Sequence, residues 1–185
     1  MRRVAPLLVV AALAGCGSHA RSGVDASKAR TLVLQPSDLP DGYTSIGGGA
    51  ENPFTAREVD PKRFGRKGGW FADYRRPPPA TTGALIVQST ADVFGDAKGA
   101  ARELAADRDR LGADNAVAIP RIGDESLAAK MVGAGTPAAL IYTIAWRQRN
   151  VASSVVVTGL NGKLGLAHAV AFARRAAARV AAASR

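Results

Sequence analysis

A single cysteine, Cys16, stands in this chain of 185 residues, and it closes an apolar run near the amino end. One thiol makes no intrachain disulfide, and there is no second thiol for a redox pair or a cysteine metal site. Whatever folds downstream is held by its core alone. Arg2 and Arg3 open the chain, Val4 to Leu13 is apolar, and Ala14 and Gly15 are small. A basic start, a short apolar run and small residues at its exit mark a secretory signal. The run is about half of the roughly 20 residues that a bilayer-spanning helix needs, so a permanent span is not expected.

Leu13-Ala14-Gly15-Cys16 resembles the lipobox of bacterial lipoproteins, in which the cysteine is lipidated and becomes the first mature residue. The resemblance implies a diacylglyceryl group on Cys16 and a domain tethered to the outer face of a cell membrane. A buried methylene contributes about 0.8 kcal/mol, and stable anchoring takes two chains, which that group supplies. The chain then divides into a signal peptide over 1–15, a lipidated cysteine with a flexible tether over 16–27, and a single domain over 28–185. Loss of 1–15 leaves 170 residues and lowers the formal net charge from +10 to +8, because Arg2 and Arg3 go with it. That length suffices for one core. Export takes nucleic acid out of reach, so the positive charge is expected to meet anionic headgroups, envelope polymers or only solvent.

Gly17 to Ser27 is small and polar, a linker composition, and His19 lies within it. Pro36-Ser37-Asp38 reads as a helical turn and Pro40-Asp41-Gly42 as a tight turn. Tyr43 to Ile46 begins a strand that Gly47-Gly48-Gly49 breaks as a flexible loop; no phosphate-loop lysine follows the glycines. Trp70 to Tyr74 alternates as a strand. Arg75-Arg76-Pro77-Pro78-Pro79 ends it at an edge or in a projecting loop, since proline donates nothing to a ladder. Arginines beside aromatics suit ligand stacking; they equally suit a loop that keeps a sheet edge soluble.

Ala84 to Ala91 is an aliphatic strand. Asp96 then opens a long helix to about Leu111, with Ala97, Ala100, Ala101, Leu104 and Leu111 inward and Gly112 as its C-cap. Gly123-Asp124-Glu125-Ser126 turns into a strand ending at Val132. Adjacent carboxylates on a strand point to opposite faces, which argues against an acid–base pair there. Leu140 to Trp146 is a strand, Arg147 to Asn150 a four-residue turn, and Val151 to Thr158 the return. A last helix runs from about Leu164 to Ala182, with Leu166, Val170, Ala173, Ala177 and Val180 inward. The fold expected is α+β: a twisted, mainly antiparallel sheet of about five or six strands with two long helices.

Every Asp and Glu lies at or before Glu125, and eight basic residues follow it. If the last helix and the hairpin turn share a face, Arg147, Arg149, Arg174, Arg175 and Arg179 make a surface for an anionic partner. Catalytic candidates are lacking. After Gly15 the only histidines are His19 and His168, and no Gly-x-Ser-x-Gly elbow occurs. No residues have metal-ligand spacing, and no cofactor is implied.

Asp38-Leu39-Pro40-Asp41-Gly42-Tyr43, Ile122-Gly123-Asp124-Glu125 and Trp146 to Val151, with the Ala/Arg-rich last helix, resemble small lipoproteins of high-GC bacteria. More distantly, the plan is similar to the extracellular sensor domains of mycobacterial serine/threonine kinases, although those carry disulfides. The resemblance implies a non-enzymatic ligand-binding or sensor domain on the membrane, with a concave sheet face for a small apolar ligand. The alternative is an assembly protein that holds anionic polymers, lipids or a protein partner on its basic surface. A hydrolase is the least supported reading.

Overall fold

The computed structural model describes residues 23–50 and 60–185. Alternating and aliphatic runs produce six strands there: β1 Thr44–Gly49, β2 Arg66–Arg75, β3 Ile86–Phe94, β4 Glu125–Val132, β5 Ala139–Gln148 and β6 Val151–Leu160. Each is antiparallel to its neighbours, in the order β1-β2-β3-β6-β5-β4. Two three-strand meanders thus lie side by side, joined where β3 meets β6. The helices are α1 Ala29–Leu32, α2 Ala97–Leu111 and α3 Leu166–Ala183. The two long helices expected are present, and the four-residue α1 is an addition to them.

The period of two along each strand separates two faces. Val87, Ala91, Val151, Val155, Val157, Ile144 and Trp146 point to one face and are fully buried beneath α1 and α3. Phe94 and Ala152 point to the other and pack on Ala100 of α2. Asp96 caps α2 by accepting from the Gly99 N–H at 2.8 Å, and Gly112 closes it with φ +74°. On α3 the buried stripe is Ala169, Phe172, Ala173, Ala176 and Val180. Leu166, Val170 and Ala177, expected at its centre, flank that stripe and are half-buried. The helix is rotated because its one aromatic side chain, Phe172, has the most apolar area to bury.

Other expectations change. The three glycines do not break β1 but form its second half, paired with Asp73, Ala72 and Phe71 of β2. Ladder hydrogen bonds to a long neighbour outweigh their weak strand preference. A bulge between Ser45 and Gly47 absorbs the irregularity. β2 is therefore interior; of the edge or projecting loop expected at Arg75 to Pro79, the loop is found, since no strand occupies 76–85. The β5–β6 turn is two residues, Arg149 and Asn150, with Arg149 at φ 56°.

Part of the stretch 16–27, expected to be a tether, is structured. Val24 is buried, and its N–H donates to Asn150 Oδ1 at 2.7 Å. Asn150 Nδ2 donates in turn to the carbonyls of Val24 and Phe94, at 2.9 and 2.8 Å. A side chain on Gly23 would stand 2.8 Å from Asn150 Cγ, so only glycine lets the chain pass there. Residues 23–27 belong to the fold; 1–22, with the signal, Cys16 and His19, and 51–59 lie outside the described residues. A second latch follows α1. The Leu34 N–H donates to Ser89 Oγ at 3.1 Å, and Tyr74 Oη donates to the Leu34 carbonyl at 2.8 Å.

The strand ends define two poles. At the proximal pole lie Val24, the start of β2, the end of β3, the β5–β6 turn and the end of α3. At the distal pole lie Tyr43, the end of β2, the start of β3, the end of β6 and the start of α3.

Asn150→Ala strands three buried backbone groups, and about 3 kcal/mol of stability should be lost, read as a lowered urea midpoint. Asp73 on β2 is 3 % exposed, with Oδ1 unpartnered, and burial pushes its carboxyl up against a weaker opposing bond from Gln88. A carboxyl raised in the folded state binds its proton more tightly there. Stability then falls as pH climbs from the ordinary carboxylate range to the raised value, and stays reduced above it. Asp73→Asn should remove that loss, so the variant's midpoint should gain on the parent's as pH climbs above the ordinary carboxylate range.

Candidate functional site

The distal pole holds a cleft of about 430 Å³ between the tight turn before β1, the loop joining β2 to β3, and the first turn of α3. Tyr43 and Phe172 form its apolar wall, their rings meeting edge-to-face with centroids 6.2 Å apart. Tyr43 is fixed at its far end, where its hydroxyl donates to the Ala84 carbonyl at 2.6 Å. Burial pushes the Tyr43 phenol up, and nearby Arg76 opposes the shift.

Three basic side chains line this wall: Arg76, Lys163 and His168. The Arg76 guanidinium lies 5.8 Å from the Tyr43 ring centroid and donates one bond to the Thr82 carbonyl at 3.1 Å. A guanidinium has five donors, so most of them remain for a ligand. His168 Nδ1 stands 3.3 Å from the Gly165 nitrogen, which turns Nε2 toward the loop at Gly83. A Cβ at Gly83 would lie 3.7 Å from His168 Nε2 and 3.9 Å from Arg76 Nη1, so the imidazole and the guanidinium flank that glycine. The Gly83 N–H donates to the Lys163 carbonyl at 2.9 Å, and Gly83 holds φ +70°. The loop can sit this close because residue 159 is glycine; a Cβ there would stand 2.4 Å from the Gly83 carbonyl oxygen. Asp41 supplies the one carboxylate on the rim.

Chemically, the cleft offers an apolar aromatic wall and several cationic donors within one opening. Such a surface favours a small molecule with a flat or aliphatic body and an anionic group. It lies at a strand end, not on the concave sheet face that the sequence led us to expect.

The five arginines of the anticipated basic surface are spread along α3 and the β5–β6 turn. Arg147 pairs with Glu125 at 3.1 Å and Asp124 at 3.5 Å. Arg149 donates its backbone N–H to Asp124 at 2.7 Å and its guanidinium to the Ser184 carbonyl. Arg179 grips the Asp38 carboxylate, one contact being 3.0 Å, and Arg175 donates to the Asp38 carbonyl. Arg174 faces solvent. Arg108 first, and then Arg147, hold the Glu125 carboxyl below the usual carboxylate range. Arg175 also lies 5.9 Å from the Phe172 ring centroid, behind the cleft wall. Cys16 is outside the described residues. The sequence pointed to Arg76 through the arginines beside aromatics; Tyr43, Lys163 and Phe172 carried no signal because only the fold brings them together. Among the described residues no group of three or more His, Cys, Asp or Glu side chains is placed to hold a metal, and no helix is long and apolar enough to cross a membrane.

No protein-family model and no curated protein matches the chain. Among solved structures it is similar to the extracellular domain of PknH from Mycobacterium tuberculosis, with a TM-score of 0.57 and 14% identity, over 88% of this chain and 99% of that one. At that identity the likeness is one of fold.

Proposed function

We propose that this chain is a lipid-anchored protein of the bacterial cell envelope whose domain is a non-enzymatic ligand-binding or sensor module. The observation that carries the reading is the distal cleft, where Arg76, Lys163 and His168 surround the Tyr43–Phe172 wall. The fold shared with an extracellular domain of a mycobacterial kinase supports an extracytoplasmic sensor, and the lipobox-like Leu13 to Cys16 supports the anchor. The ligand class is a small amphipathic molecule bearing a carboxylate or phosphate, because aromatic stacking and charge converge at one opening.

Geometry and anchor agree. A tether leaving from Gly23 departs at the proximal pole, so the cleft opens at the end of the domain turned away from the membrane. A ligand arriving from the cell exterior meets the cleft first.

Two measurements test this reading. Mass spectrometry of the amino-terminal peptide from envelope-purified protein should find a diacylglyceryl mass on Cys16; an unmodified Cys16 ends the anchor reading. Native mass spectrometry of the same preparation should find a retained small anion. Arg76→Ala with His168→Ala should lose it, whereas Arg174→Ala should keep it. Retention that is indifferent to the double substitution would remove the cleft from the function.

A further inference from the structure

The proximal pole is as distinctive as the cleft. Gly23, where the described fold begins, packs on Asn150. Around it the chain brings together segments far apart in sequence. The Gly95 N–H donates to the Gly65 carbonyl at 3.0 Å, joining the end of β3 to the turn before β2. The space beside Gly95 is filled by Lys67, whose Cε would lie 3.3 Å from a Cβ there. The turn Pro61–Phe64 backs onto the first turn of α2, its Phe64 carbonyl 2.3 Å from a Cβ built on Gly99. Ala26 abuts Gly68, and Lys28 Nζ reaches the Ala183 carbonyl at 3.4 Å, which brings in the end of α3.

These contacts gather Lys28, Lys62, Arg63, Lys67, Lys98 and Arg185 at one end, all exposed. Asp124, beside the β5–β6 turn of this pole, serves Arg149 and Arg147. Among the described residues the other carboxylates on these segments are Asp25, Asp60 and Asp96. Each accepts a backbone N–H at the start of a helix or turn: Ser27 at 2.7 Å, Lys62 at 2.9 Å and Gly99 at 2.8 Å. Among the described residues, six cations therefore stand beside three carboxylates committed to capping. The ion-paired arginines of β5 and α3 are not among the six.

We propose that this pole is a docking surface for the anionic lipid headgroups of the membrane that holds the chain. The inference rests on the anchor at Cys16. Only residues 17–22 separate that cysteine from Gly23. At roughly 3.5 Å per residue the fully extended span reaches about 25 Å, so the proximal pole cannot leave the neighbourhood of the bilayer. Each Lys or Arg near an anionic surface contributes about 1 kcal/mol, falling off within a Debye length. A short tether at a basic pole therefore holds the domain upright, with the cleft outward. An extended wall polymer fits less well, because the lipid surface is the anion that the tether keeps within reach.

The test separates the pole from the anchor. The chain from residue 16 onward, carrying Cys16→Ser, is mixed with vesicles of phosphatidylcholine alone or with phosphatidylglycerol added, and binding is read by flotation. Binding to the anionic vesicles should be at least about tenfold tighter at low salt and should fade as salt is raised. Lys62→Glu with Arg63→Glu and Lys67→Glu should abolish that preference, and Arg174→Glu on the side of α3 should leave it. Lys28→Glu with Arg185→Glu, on separate elements, should weaken it independently if the first variant fails to fold. Equal binding to both vesicles overturns the proposal, as does binding to soluble polyphosphate with none to vesicles. Since Cys16 is absent from this assay, a failed lipidation measurement and a failed docking measurement are distinct results.

Discussion

The Asn150 side chain makes the connection on which the rest of this structure depends. Its amide donates to two carbonyls and accepts one N–H, so one residue in a two-residue turn holds the first described segment, the end of β3 and the start of β6 together. A domain with no disulfide needs such closures, because the amino-terminal segment contributes few apolar side chains of its own. Val24 and the run Leu32 to Leu34 are buried, but their backbone groups would be unpaired without help from elsewhere. Asn150 supplies that help at one point, and Ser89 with Tyr74 at another. Polar side chains inside the core thus do what a further strand would do, without requiring a longer chain.

Closure at one pole frees the other. The antiparallel order places every connection at a strand end, and the connections differ between the ends. At the proximal pole the described contacts interlock: the turn at Arg149 and Asn150, the Gly65–Gly95 contact, and the end of α3. At the distal pole the loop joining β2 to β3 and the start of α3 stand apart, leaving the cleft between them. A domain interlocked at one pole and open at the other suits the reception of a small ligand at the open end. Rigidity in the wall comes from Tyr43, pinned by its hydroxyl, and from Phe172, packed into the core.

Much of this fold was legible in the sequence because its strongest signals are local. The alternation from Leu140 to Trp146, the Asp96 cap and the Gly112 stop each report one element from a few neighbouring residues, and each stands where its pattern put it. The glycine run of β1 was misread since its strand character comes from pairing with β2, which no local pattern encodes. Val24 looked like linker for the same reason; its partner is Asn150, 126 positions away. The cleft was legible only at Arg76. Its other residues come from four separated stretches, and a wall built from residue 43 and residue 172 exists only after the sheet has formed. The sequence also counted charges without their partners, so whether the five arginines share one face stayed open in it.

Those partners explain the charge asymmetry along the chain. The last 60 residues carry no acid, yet several of their arginines are paired: Arg179 finds Asp38, and Arg147 finds Asp124 and Glu125. Acids from the earlier stretch meet bases from the later one, and each such pair closes a long loop of chain. Exposed pairs of this kind contribute little stability on their own. Their value is in register, since α3 slid by one turn would carry Arg179 away from Asp38 and Arg175 off the Phe172 ring. Lys163 and Arg174 of this stretch remain exposed. A net charge read from the whole sequence therefore does not describe the surface: part of the charge is matched by the fold, and the rest stands at both poles and on α3.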